Sequence, residues 1–169
     1  MIELLILYVL NSRDKTLYSL RRDIIEQFGM VTKPSLGTMH PAMQRLLKKE
    51  AVKMDKKFSD GGKKSTYYSI TNSGKKVFKE LFFEDISLNP TIFHSQLSVR
   101  LLTLSMLEKE DREIFLEDLI KVIDIQKIEA EKSLNNEYIK YDEYQRMVIE
   151  ESLSNLKSLM LMVERLKAC

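Results

Sequence analysis

The chain has one cysteine, two histidines and no tryptophan among its 169 residues. Cys169 is single, so no internal disulfide can form, which fits a reducing compartment, and two histidines with one cysteine argue against a structural zinc site. Lack of tryptophan removes one common aromatic platform for a flat ligand. Glycine and proline are scarce, at 5 and 3 residues, against abundant Leu, Ile, Lys, Glu and Met, which predicts a mostly helical protein. No hydrophobic run is long enough to span a bilayer. The apolar opening "MIELLILYVL" lacks a basic region before it and a small-residue cleavage site after it, so it reads as a buried first helix in a cytoplasmic protein with no membrane partner. Catalytic signatures are missing too. There is no glycine-rich phosphate loop before a helix, no nucleophile elbow and no His/Cys cluster, and the acidic residues of the second half alternate with lysine as on solvated helices. The expectation is a protein that is not an enzyme and carries no metal or cofactor.

What is present is a hydrophobic fraction of 44%, sufficient for a core, and a charge distribution that differs by halves. Residues 1–85 hold 16 Lys+Arg and 10 Asp+Glu; residues 86–169 hold 11 and 15. A basic first half points to a polyanion partner, although solubility alone would produce the same count.

Helical spacing predicts a short apolar helix over Ile2 to Leu10, then a second from the Thr16 cap through Leu17, Leu20, Ile24, Ile25 and Phe28, stopping at Gly29. Ser35 caps a third, with Leu36, Met39, Met43, Leu46 and Leu47 along one face. Pro41 inside it either removes one backbone bond or confines regular helix to the part that follows. The period then becomes extended. "VKMDKKF" and "STYYSIT" flank a Gly-Gly turn bracketed by lysine pairs, a hairpin with a cationic tip. Thr71 caps a fourth helix.

Three helices followed by a hairpin is the winged form of the helix-turn-helix, in which the third helix enters the major groove and the wing rests beside it on the backbone. Lysines at the tip neutralise phosphates, and glycines keep the tip slim. Ser35 and Thr38 stand in the first turn of the third helix, where hydroxyls and N–H groups can meet a phosphate or a base edge. Gln44 and Lys48 lie on its polar face. For Lys33 and Lys48 a solvated face explains the residue as well as contact does.

The stretch "PSLGTMHPAMQRLLKKEAVKMDKKFSDGGKKSTYYSITNSGKK" resembles the signature region of the PadR family of bacterial transcriptional regulators. The shared features are a Gly-Thr-apolar-aromatic-Pro start to the third helix, an apolar-x-Arg-Leu continuation, a basic glycine wing, Tyr-Tyr, and a Thr-x-x-Gly helix start. The resemblance covers residues 2–80. His40 stands where the family has tyrosine, and of the His-Gly-Tyr-Glu-like run that opens the second helix only Tyr18 is retained. The resemblance implies DNA contacts from Tyr18, Ser35, Thr38, His40, Lys63 and Lys64. It also implies a variable helical C-terminal region that dimerises, and in some relatives a response to phenolic acids or lipophilic drugs.

The second half predicts three further helices: one after Pro90, one over residues 111–134, and a long one from about Glu137. In the last, Ile149, Leu153, Leu156, Met160 and Val163 form a coiled-coil-like seam, with Leu159, Met162 and Leu166 beside it. The middle helix can cover part of so wide a face and a second copy of the chain the rest. Met106, Met147, Met160 and Met162 with Phe82, Phe83 and Phe93 can line an apolar effector cavity, or simply be core. The expectation is therefore a mainly α protein with a small β-hairpin. Residues 1–85 form a winged helix-turn-helix domain and residues 86–169 a helical dimerisation domain. The expected function is that of a homodimeric repressor binding double-stranded DNA, with release by a small apolar or aromatic effector; a protein-binding winged helix is the alternative.

Overall fold

The computed structural model describes residues 1–58, 64–86 and 90–168. Two compact units divide the chain, Met1–Leu107 and Glu108–Cys169.

Helix α1 (Ile2–Leu10) is apolar except for Glu3 and Tyr8 and is buried at Leu4, Leu5, Ile6, Leu7, Val9 and Leu10. It is the centre of the first unit, touching α2 (Leu17–Phe28), α3 (Leu36–Lys48), α4 (Asn72–Phe82) and α5 (Pro90–Thr103). Three hydroxyl caps start the surrounding helices. Thr16 accepts from the Ser19 N–H at 3.2 Å, Ser35 from Thr38 at 3.1 Å and Thr71 from Gly74 at 3.0 Å. The buried faces follow the expected spacing, with Leu17, Leu20, Ile24 and Phe28 on α2 and Met39, Ala42, Met43 and Leu46 on α3. Leu36 is exposed instead, because it stands in the first turn where α3 leaves the core. Helix α3 continues through Pro41, so the proline costs one backbone bond without confining the helix.

At the end of α3 the Ala51 N–H donates to Leu46 O and the Glu50 N–H to Leu47 O, a Schellman motif in which Glu50, at φ 53°, occupies the left-handed position usually given to glycine. The chain thereby turns into strand β1 (Val52–Phe58), which pairs antiparallel with β2 (Lys64–Ile70) from Val52↔Ile70 to Phe58↔Lys64. On the other side of β2, Lys15 exchanges both backbone bonds with Tyr68, at 3.0 and 2.8 Å. Gly74 explains the Thr-x-x-Gly helix start: a Cβ there would lie 2.1 Å from Ala51 O and 2.7 Å from Ile70 Cγ1. Only glycine lets α4 pass this close to the β1 backbone.

The compact first unit extends through Leu107, beyond the expected boundary at residue 85. Buried Arg100 on α5 accounts for this. Its Nε donates to Phe82 O and its Nη2 to Glu84 O, each at 2.7 Å, closing the end of α4 onto α5.

The second unit is a helical hairpin of α6 (Lys109–Leu134) and α7 (Glu143–Lys167). The Ser133 and Tyr141 hydroxyls bond at 2.6 Å beside its turn, and Lys167 meets Glu117 at 2.8 Å at the open end. Helix α7 starts at Glu143, later than the Glu137 expected, because Asp142 and Gln145 form a capping box at 2.8 and 3.1 Å. Among the described residues no helix is long and apolar enough to cross a membrane.

Candidate nucleic-acid interface

Helix α3 presents one face to the core and the other outward. His40, Gln44 and Lys48 are all exposed on the outward face, spaced four residues apart, opposite Met39, Met43 and Leu46. Ser35 and Thr38 are exposed at its start, but their hydroxyls lie 3.0 Å apart and the Ser35 oxygen already accepts the Thr38 N–H. These groups therefore organise the helix N-terminus. Lys33 is exposed just before it, and Tyr18 is 70% exposed on the first turn of α2.

Two contacts fix the angle of α3, and neither residue was expected as part of the site. Arg21 on α2 donates from Nε to Pro34 O at 2.8 Å, and Arg45 forms an ion pair with Glu3 on α1. The arginine of the apolar-x-Arg-Leu pattern is thus a brace between helices. Sequence spacing cannot show a partner 42 residues away.

In the wing, Lys64 is exposed at the first position of β2; Lys63 lies outside the described residues. Lys57 is committed elsewhere, 2.9 Å from Asp14 and 4.0 Å from Asp55, with its amino group 6.0 Å from the centre of the Tyr67 ring. The hydrogen bond to Asp14 and that carboxylate's charge raise its pKa. Lys56, exposed and without an ion pair among the described residues, joins Lys64 as a wing cation. The base of the wing is clasped by the pairing of Lys15 with Asp23 of α2, both nearly buried.

The seam on α7 is placed largely within the chain: Val163 is buried, and Ile149, Leu153, Leu156 and Met160 are half-buried. The exposed apolar side chains of that helix are Met147, Val148, Leu161 and Met162. The residues named for an effector cavity fall in both units. Phe82 and Phe93 are core of the first unit, whereas Met147 and Met162 are exposed on the second. The second unit does have an open groove of about 400 Å³, lined by Ile120, Met160 and Leu161 with Asp124, Lys127, Lys157 and Glu164 around them. No group of His, Cys, Asp and Glu able to hold a metal occurs among the described residues.

Helices α2 and α3 with the hairpin behind them define a winged helix-turn-helix domain. Residues 6–80 match the Transcriptional regulator PadR-like family. Solved structures resemble the chain to different extents. A PadR family transcription regulator from Clostridium difficile R20291 is 28% identical over 47% of this chain and 81% of its own, with a TM-score of 0.42. Bacillus subtilis PadR in complex with operator DNA is 13% identical over 99% and 96%, with a TM-score of 0.48. The same protein in complex with p-coumaric acid is 14% identical over 99% and 93%, with a TM-score of 0.40. No curated protein matches the chain.

Proposed function

We propose that this protein is a sequence-specific DNA-binding transcriptional regulator, a homodimeric repressor that reads a two-fold operator. The observation that carries the reading is the outward face of α3, where His40, Gln44 and Lys48 stand exposed, together with exposed Tyr18 on α2 and the exposed wing lysines Lys56 and Lys64. That arrangement offers hydrogen-bonding groups to base edges and cations to the flanking phosphates at once. Tyr18, Lys33, Ser35, Thr38 and Lys63 complete the contact set. The match to a family of transcriptional regulators supports it.

Dimerisation belongs to residues 86–169 in this reading. Half-buried Ile149, Leu153, Leu156 and Met160 around buried Val163 form the inner part of an apolar face, and exposed Leu161 and Met162 widen it for a second copy. Two linked reading heads are needed because a single half-site binds weakly. Release by a small apolar or aromatic effector completes the proposal, with the second unit's groove offering volume for one ring.

The test is a gel shift of the full chain against the DNA upstream of its own gene across a salt series. Affinity should fall steeply with salt, roughly as the number of phosphates contacted. Binding that is absent, or that ignores ionic strength, would favour a protein partner instead.

A further inference from the structure

The two faces of the wing are unequal. Strand alternation places Lys53, Asp55 and Lys57 on one side of β1 and Met54, Lys56 and Phe58 on the other. The first face is occupied, through Asp14, Asp55 and the Tyr67 ring against Lys57. The second is open: Met54 is 60% exposed and Phe58 74%. Phe58 pairs across the strands with Lys64, and Lys56 lies two residues before it on the same face. A phenyl ring at the outer end of the ribbon is thus bracketed by two exposed amino groups with no ion pair among the described residues.

A single exposed apolar side chain is ordinary. An exposed ring between two exposed cations has a narrower set of uses. Protein-binding surfaces are depleted of lysine at their centres, which argues against a protein here. A polyanion with an apolar interior satisfies both parts. The minor groove of duplex DNA, about 6 Å wide, carries phosphates on both walls and sugar and base edges between them. Apolar side chains that enter it unstack base steps and reward sequences that deform easily.

We infer that Phe58 is a specificity-determining DNA contact, its ring entering the minor groove beside the site read by α3 while Lys56 and Lys64 pair with the phosphates of the two walls. This rests on the DNA-binding reading above. It adds a term that base-edge hydrogen bonds do not supply, a preference for flexible pyrimidine–purine steps under the wing.

The experiment begins with duplexes selected by the full chain from a random library, then carries 2-aminopurine through the flanks of the selected site. With the wild type, fluorescence should rise at one flanking step. Phe58→Ser should abolish that rise and weaken binding about tenfold with the salt slope unchanged, whereas Phe58→Leu should retain part of both. Lys56→Gln and Lys64→Gln should each lower the slope by about one. Unchanged affinity and fluorescence in Phe58→Ser, with selection by the wild type intact, would overturn the inference and leave the DNA-binding reading standing. A library that returns no enriched sequence would remove both.

Discussion

The ammonium of Lys15 is paired with the carboxylate of Asp23, and both side chains are nearly buried, at 5% and 9% exposure. Because the Lys15 backbone is also bonded on both sides to Tyr68, this one residue ties the wing to α2. Burial works against the Asp23 charge, but the hydrogen bond and charge of Lys15, with Arg22 and Arg13, outweigh it and hold the pKa below the ordinary value. The folded pKa lies below the unfolded one, so the contribution is fully present above the unfolded value of about 3.9 and is lost as pH falls through the folded value. Urea midpoints at pH 7 and pH 3 should therefore converge between wild type and Asp23→Asn at the lower pH. Lys15→Met alone should cost about 3 kcal/mol by leaving the nearly buried carboxylate with only the longer pairing to Arg22, at 3.6 Å, while Lys15→Met/Asp23→Leu should be near neutral for stability.

Gly74→Ala should destabilise the first unit by about 3 kcal/mol, since the added carbon meets backbone at Ala51 O and cannot be relieved by a rotamer change. Thermal unfolding read by circular dichroism checks this. Gly37, whose added Cβ would meet only Ser35 Oγ at 3.5 Å, is the control: Gly37→Ala should be tolerated or mildly stabilising.

On α3, base and phosphate contacts should separate. Gln44→Ala is expected to cost about 1–3 kcal/mol on the selected duplex and to relax the preference at one base pair. Lys48→Ala should weaken all sequences alike and reduce the salt slope by about one. Fluorescence anisotropy against the selected duplex and a scrambled one distinguishes the two.

The apolar face of α7 makes a further separable prediction. Val163 is buried, so Val163→Ala should lower the stability of the second unit by about 2 kcal/mol. Met162 is exposed on the same helix. Met162→Glu should leave helicity and stability in place and shift the light-scattering mass from two chains toward one. An unchanged mass would place the dimer contact elsewhere.

Local chemistry explains which parts of this architecture were legible in the sequence. Thr16, Ser35 and Thr71 each precede a run with helical period, and each is a cap, because capping needs only neighbours three residues on. The hairpin was equally plain from its change of period. Partners distant in the chain were not. Arg100 reaching back to Phe82 and Glu84 moves the unit boundary, and nothing near residue 100 announces it. The width of the α7 stripe pointed to cover by the middle helix and a second copy, but periodicity records how wide a face is and not how much of it α6 takes. On α3, helical spacing placed Gln44 and Lys48 on the outward face, and the family resemblance pointed to His40; all three are exposed. Lys56 belonged to the lysine pairs read at the wing tip, but Phe58 was missed, because its exposure depends on which side of the ribbon Asp14 occupies.

Helix α1 is buried along most of its surface, and the elements that cover it follow it in the chain as far as α5. During synthesis the most apolar segment of the first unit must therefore wait, uncovered, until the helices on its far side have emerged. The basic wing and reading helix are made in that interval, beside a sticky and unfinished core. A chain built in this order leaves its first helix uncovered while the rest is still being translated, and mutations that slow the arrival of α4 should be felt as lost yield before they are felt as lost affinity.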